Sequence, residues 1–245
     1  MNKTLPLMDS GLRNYLRRVP QNSVLYMPGL DYGSWHTNTI RDYSGQANHG
    51  TKVGAIPTML PSGLWGLRFD KLDDVINCGS ASVLDNLAAI TLIAWINPTS
   101  TGEGGVGVLF DKCSSVNIGG WTFVTVDTKR LAFLCDTDNV SVARYAANNS
   151  FTLSNNLMVV ATWNGSLTAT NIKFYVNGIE TAYDLTTNGT GTRVDDSDQS
   201  LRIGNEVSTA RTFDGTIWLP RIIPSVLTVT QILAIFNQER QFFRV

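Results

Sequence analysis

From Ser23 to Ile223 the chain is a run of short apolar segments separated by clusters of Gly, Asn, Asp, Ser and Thr, and this punctuation limits the fold more than any other feature. The segments are SVLYM (23–27), LWGLRFD (64–70), DVINCG (74–79), ITLIAWINP (90–98), VGVLFD (106–111), WTFVTVD (121–127), RLAFLCD (130–136), LMVVATWNG (157–165), NIKFYVNGIE (171–180), LRIGN (201–205) and TFDGTIWLPRII (212–223). About ten to thirteen strands at this spacing predict an all-β chain, a two-sheet antiparallel sandwich, rather than alternating β and α units. ITLIAWINP carries the strongest signal. Ile90, Leu92, Ala94 and Ile96 share one face and Ile93 and Trp95 the other, so the period predicts a central strand covered on both sides. Thr128-Lys129 and Asn177-Gly178 sit where hairpin turns belong, the second with the stronger type I′ chemistry.

Two segments depart from this pattern. Near the C-terminus, Thr228 and Gln231 have the spacing of a capping box, and Val229, Ile232, Leu233 and Phe236 predict one buried stripe on a short helix. At the other end, Asp9 or Ser10 could cap a helix with Leu12, Tyr15, Leu16 and Val19 on one side and Arg13, Arg17 and Arg18 on the other, closed by Pro20. A helix of fewer than three turns is marginal alone in water and needs a surface. Two readings stay open: it docks on its own body, or it contacts a neighbouring subunit. The second divides the chain into an arm (1–22) and a sandwich (23–245). It also assigns Leu12, Arg13, Tyr15, Leu16, Arg17, Arg18 and Trp218 to partner binding.

Composition excludes several functions. Nineteen basic residues oppose twenty acidic ones, for a net charge of −1, which argues against a nucleic-acid partner. No apolar run approaches the roughly 20 residues of a membrane span, so no membrane insertion is expected. The opening residues lack the apolar core of a signal peptide, so classical secretion is not expected. Cys78, Cys113 and Cys135 form no C-x-x-C motif, and whether Cys113 and Cys135 pair is left open.

The chemistry-bearing residues are sparse. Retaining glycoside hydrolysis needs two carboxyl groups about 5 Å apart. Yet Glu103, Glu180, Glu206 and Glu239 are scattered, and Asp70, Asp73 and Asp74 cluster at a turn rather than on a strand face. No catalytic residues and no enzyme are therefore expected. His36 and His49 fit no zinc motif, and His49 is expected to bond nearby backbone. Calcium, which takes six to eight oxygen ligands, is the one cofactor the loops could hold, with Asp42 and Asn48 the first candidates. Asp70, Asp73 and Asp74 come second and Asp195–Asp198 third, the last expected to be a solvated loop. The competing reading of these Asp residues is Asx-turn capping. Trp65, Trp95, Trp121, Trp163 and Trp218 fall in apolar alternation, whereas Trp35 lies among turn formers with Tyr32 and His36. Tyr32, Trp35 and His36 are the ligand-binding candidates, as a sugar platform or a protein contact.

Taken in order, the motifs resemble the laminin-G-like, concanavalin-A-like jelly-roll domains over about residues 23 to 240. They begin with D-x-S-G-x-x-N-H-G at Asp42, Ser44, Gly45, Asn48, His49 and Gly50, followed by LRFDKLDDVINCG (67–79) and ITLIAWINP. IKFYVNG (172–178), LRIGN, FDGTI (213–217) and the L-T-x-x-Q-I segment complete the series. Trp218 stands where such domains usually have Asp, which implies an edge adapted to a different contact. The resemblance implies a two-sheet antiparallel jelly-roll sandwich with a short C-terminal helix. Many such domains are carbohydrate-binding or adhesion modules, some bind calcium, and others are appendages on enzymes or virus particles, so fold alone names no function. The arm and the missing signal peptide favour a structural or adhesion protein of a bacteriophage virion, made in the host cytoplasm. Its partners would be neighbouring subunits, and a homo-oligomer is compatible. The alternative is an extracellular lectin-like module, calcium-dependent or not, that binds host-surface glycans.

Overall fold

In the computed structural model the strand ITLIAWINP is central, as its pattern predicts. The structure describes residues 10–17, 22–30, 37–114 and 119–245. Seventeen strands were assigned among them: β1 (Leu25–Tyr26), β2 (Thr39–Ile40), β3 (Gly50–Val53), β4 (Ile56–Met59), β5 (Trp65–Asp70), β6 (Val75–Asn77), β7 (Ile90–Pro98), β8 (Val106–Lys112), β9 (Trp121–Val126), β10 (Arg130–Cys135), β11 (Val142–Ala146), β12 (Leu157–Trp163), β13 (Lys173–Val176), β14 (Ile179–Glu180), β15 (Tyr183–Thr187), β16 (Arg202–Ile203) and β17 (Asp214–Ile223). The first sheet runs β14-β13-β12-β7-β17-β5-β4, with β1 also on β17; the second runs β15-β11-β10-β9-β8-β16-β6-β3-β2. All paired strands are antiparallel, as in a jelly-roll sandwich. The strands that the sequence reading passes over are short edge pieces or half-exposed, such as β2, β4 and β15, where alternation has little to report.

The main core lies between the sheets. Ile90, Leu92, Ala94 and Ile96 of β7 share it with Phe110, Phe123 and Phe133 of the second sheet and Phe174 of their own. Ile93 and Trp95 point the other way, into a second cluster. The layer over that cluster is supplied by helix α1 (Ser10–Leu16) and helix α2 (Val229–Phe243). The capping box of α2 is formed: Thr228 Oγ1 accepts from Gln231 N at 3.3 Å and Gln231 Oε1 from Thr228 N at 2.9 Å.

The buried stripe of α2 differs from its prediction. Ile232, Phe236, Glu239 and Phe243 face inward, while Val229 is 50% exposed and Leu233 41% exposed. Apolar spacing alone could not select this face, because a glutamate belongs to it. Both hairpin turns adopt positive φ at their two central residues, 65° and 56° at Thr128-Lys129 and 53° and 80° at Asn177-Gly178. Among the described residues, no helix is long and apolar enough to cross a membrane.

A bulge in β17 decides how the second cluster is built. Trp218 opposes Trp95 and Arg221 opposes Ile93, so Leu219 and Pro220 together face the single residue between those two. In a regular strand, residues three apart point to opposite faces. The bulge, with Leu219 at φ 49°, returns Trp218 and Arg221 to the face of Trp95. Trp218 is consequently 4% exposed, edge-on to Phe243 at 5.7 Å. A Cβ on Gly66 would come within 2.3 Å of its ring, so only glycine leaves the indole room. Trp218, expected at a partner-facing edge, is here packed within its own chain.

Candidate functional site

Helix α1 is docked on the protein's own body. Leu12 and Leu16 are 2% and 0% exposed and share the cluster of Trp95, Trp218 and Phe243. Tyr15 donates to Glu239 Oε1 at 2.9 Å and its ring lies 5.7 Å from Phe242. For Leu12, Tyr15 and Leu16, the partner-contact expectation gives way to the docking reading, because their apolar surface is already covered. Arg18 lies outside the described residues. Arg13 and Arg17 remain exposed, one helical turn apart, with Arg17 N donating to Arg13 O at 3.1 Å.

Those two guanidinium side chains line an open cavity of about 220 Å³ together with Leu30 and Tyr43. Tyr43 is placed by the loop that the calcium expectation singled out. Asp42 Oδ1 accepts from Tyr26 N at 2.8 Å and Ser44 N at 2.9 Å; Oδ2 accepts from Ser44 Oγ at 2.6 Å and Asn48 N at 2.9 Å. These four bonds occupy the roughly four lone-pair sites of a carboxylate. Asn48 Nδ2 is spent on Val24 O at 2.7 Å. Asp42 and Asn48, the first metal candidates, thus make the bonds of the competing reading, an Asx-type turn that ties the loop to β1. His49 does what was expected of it, its Nδ1 accepting from Asp42 N at 3.1 Å. Tyr43 N donates to Tyr26 O at 2.7 Å, and the half-buried ring is presented toward Arg13 and Arg17. Arg41 stacks its guanidinium 5.8 Å from the same ring.

The remaining candidates separate. Tyr32, Trp35 and His36 lie outside the described residues. The oxygens of Asp70, Asp73 and Asp74 lie within 4.8 Å of one another, but Asp74 accepts from Asp70 N and Asp70 from Leu72 N, which is turn capping. Burial raises Asp74 to about 6. Asp195–Asp198 is not simply a solvated loop. Asp196 is fully buried, paired with Arg193 at 2.6 Å and Lys112 at 3.1 Å, and accepts from Asn86 N at 2.8 Å. Cys78, Cys113 and Cys135 are free and buried, so Cys113 and Cys135 are not paired.

The four glutamates are engaged in structure. Glu239 accepts from Arg221 at 2.6 and 2.7 Å, Trp95 Nε1 at 2.6 Å and Tyr15, all beneath α2. Glu180 holds Lys173 and Tyr183, Glu206 holds Ser208, and Glu103 accepts from Thr212 N. On the outer face of the second sheet, Val108, Val124 and Ala132 pack into a closed apolar cluster.

Leu30 and Tyr43 are the site residues that the sequence reading missed. Tyr43 occupies the variable position of D-x-S-G, and an aromatic ring inside an otherwise structural turn was the available signal. Leu30 carries no local signal.

Residues 70–233, two-thirds of the chain, match the laminin-G-type sequence model described as the concanavalin A-like lectin/glucanases superfamily. A search of curated proteins gives no match. Similar solved structures include the binding domain of Paraclostridial Mosquitocidal Protein 1, at 13% identity and TM-score 0.67 over 95% of this chain and 55% of that one. The binding domain of Botulinum Neurotoxin DC in complex with SialylT follows at 14% identity and TM-score 0.59, over 91% and 52%. A Trypanosoma rangeli sialidase matches at 14% identity and TM-score 0.61, over 91% and 34%. At these identities the likeness is one of fold. The chain spans about half the length of the two toxin binding domains.

Proposed function

From its membership of the concanavalin A-like lectin/glucanases superfamily, to which this chain belongs, we propose that the protein is a non-catalytic binding module that recognises glycans displayed outside the cell. The observation that carries this reading is the cavity of about 220 Å³ between α1 and the Tyr43 loop, open to solvent and lined by a ring, an aliphatic side chain and two exposed arginines. It is smaller than the roughly 300–1,000 Å³ of drug-sized sites and suits a single sugar ring. An aromatic face and a few polar groups are what stacking on a pyranose requires. The engagement of all four glutamates in fold-holding contacts supports a non-enzymatic role. Two structures of one neighbour lend analogy: the Botulinum neurotoxin DC binding domain was solved with SialylT and also with rat synaptotagmin II.

The virion placement rested on the missing signal peptide and on the arm as an attachment device; only the second bears on the structure. The burial of Leu12, Leu16 and Trp218 within one chain withdraws that support. Isothermal titration of the protein against a panel of neutral and acidic oligosaccharides tests the proposal. Saturable binding that Tyr43→Ala removes, with an unchanged melting temperature, is expected. Absence of binding to every member of the panel would overturn it.

A further inference from the structure

We infer that the cavity formed by Arg13, Arg17, Leu30 and Tyr43 selects a sugar residue bearing a carboxylate, such as a terminal sialic or uronic acid. The inference rests on the glycan-binding reading above and narrows it to a ligand class. Three observations carry it. First, the two guanidinium side chains come from one helix turn and face the same opening, and both are exposed, with no ion pair to a described acidic residue. Second, no acidic side chain is among the described lining residues, although the whole chain has a net charge of −1. The positive charge of Arg13 and Arg17 is thus local. Third, the other two described lining residues are a half-buried ring and a half-buried aliphatic side chain, chemistry that suits the apolar face of a pyranose.

A planar guanidinium pairs a carboxylate through two parallel N–H···O bonds, and a second one gives a fork from another angle. A neutral hexose could use the ring but would leave both cations without a counter-charge. An inorganic anion could use the cations but not the ring. The combination fits a molecule that is both sugar and carboxylate.

The holding frame is rigid where it needs to be. Arg13 stands on a helix whose opposite face is anchored by Leu12 and Leu16, Arg17 follows that helix directly and bonds back to Arg13 O, and Tyr43 stands on a loop tied by the four bonds of Asp42. Binding therefore requires little reorganisation, and exposed charges of this kind should show clear salt dependence.

The test titrates the full chain with sialyllactose, lactose, a glucuronate-terminated disaccharide and its methyl ester, and inorganic sulfate. Arg13→Gln/Arg17→Gln is measured beside the wild type. The expected result is at least tenfold tighter binding of each carboxylated sugar than of its neutral counterpart. That preference should vanish in the double variant, whose melting temperature should stay within a degree or two of the wild type because both side chains are exposed. Sulfate alone should bind at least tenfold more weakly than the acidic sugars. Equal binding of acid and neutral sugars would overturn the inference while leaving glycan binding standing. So would an acid preference that survives the double substitution, or sulfate binding as tight as that of the sugars. Failure of every sugar to bind would instead remove the reading on which the inference rests.

Discussion

Glu239 shows how much a single residue can organise. Its carboxylate is fully buried and receives Arg221 from β17, Trp95 from β7 and Tyr15 from α1, so one side chain of α2 holds three other elements. Burial alone would lower the pKa of Arg221, but Glu239 more than offsets this and pushes it up; burial and the same carboxylate push Tyr15 up. Removing one member of such a pair leaves the other charge buried and uncompensated, so Glu239→Ala should cost about 3–5 kcal/mol in denaturant unfolding. Replacing both partners by hydrophobic residues, Arg221→Met with Glu239→Leu, should recover most of that loss, a difference that a double-mutant cycle would read directly.

Asp111 behaves differently at the same scale. It is 1% exposed and accepts a 3.3 Å bond from Cys113 N; burial raises it to about 7, outweighing the hydrogen bonds from Cys113 and Thr122 that favour the charged form. A carboxyl whose pKa is raised by folding stabilises the folded state when protonated. That contribution is complete below about pH 4 and is lost as pH climbs through 7. Unfolding free energy should fall by about 1–3 kcal/mol from this group between about pH 4 and pH 8. Asp111→Asn should flatten that part of the profile, measured by urea unfolding across the pH range.

Among elements, α2 separates apolar pattern from actual burial. Ile232 and Leu233 are adjacent and equally hydrophobic, yet one is 0% and the other 41% exposed. Ile232→Ala should destabilise by about 2–5 kcal/mol and Leu233→Ala by well under about 1 kcal/mol. Equal losses in thermal or chemical unfolding would mean that the helix is rotated from the position described. Phe243 explains why the face is turned as it is: its ring stacks on Trp95 at 3.9 Å and 4°, while Phe236 covers the same indole at 5.8 Å and 20°. The aromatic sandwich and the Glu239 network both require the inward face to include position 239, which pulls Val229 and Leu233 outward.

At the scale of the whole molecule, α1 is part of the sandwich's outer layer. It covers the second cluster with Leu12 and Leu16 and satisfies Glu239 through Tyr15. Deleting residues 1–17 should therefore lower stability by about 3–6 kcal/mol, the burial of two leucine side chains at about 1.5–3 kcal/mol each. A shift of the denaturant midpoint at unchanged slope would show this, with Trp95 fluorescence reporting the uncovered cluster. A midpoint unchanged by truncation would return α1 to the role of a detachable arm. The same deletion removes Arg13 and Arg17, so the ligand cavity and the covering of the hydrophobic layer depend on one short helix.

The sequence by itself determined what local periodicity can encode. The two-faced pattern of ITLIAWINP named both the inter-sheet core and the second cluster, residue by residue. Thr228 with Gln231 marked the start of α2, and the two hairpin turns were legible from their residues and positions. These signals are complete within a few residues, because backbone sterics, caps and alternation act over one turn or one strand. They say which side chains share a face but not what will cover it. The packing of α1 on its own body, the inward turn of Trp218 by the bulge at Leu219, and the place of Glu239 in a buried stripe were set by partners more than one hundred residues away for Trp95 and Tyr15 alone. The cavity was decided in the same way. Asp42 and Asn48 read as metal ligands in one dimension because their oxygens look available. Ser44 is a local partner that the Asx-turn reading already allowed; only the folded chain brought Tyr26 and Val24 close enough to consume the remaining groups, and set Tyr43 beside Arg13 and Arg17.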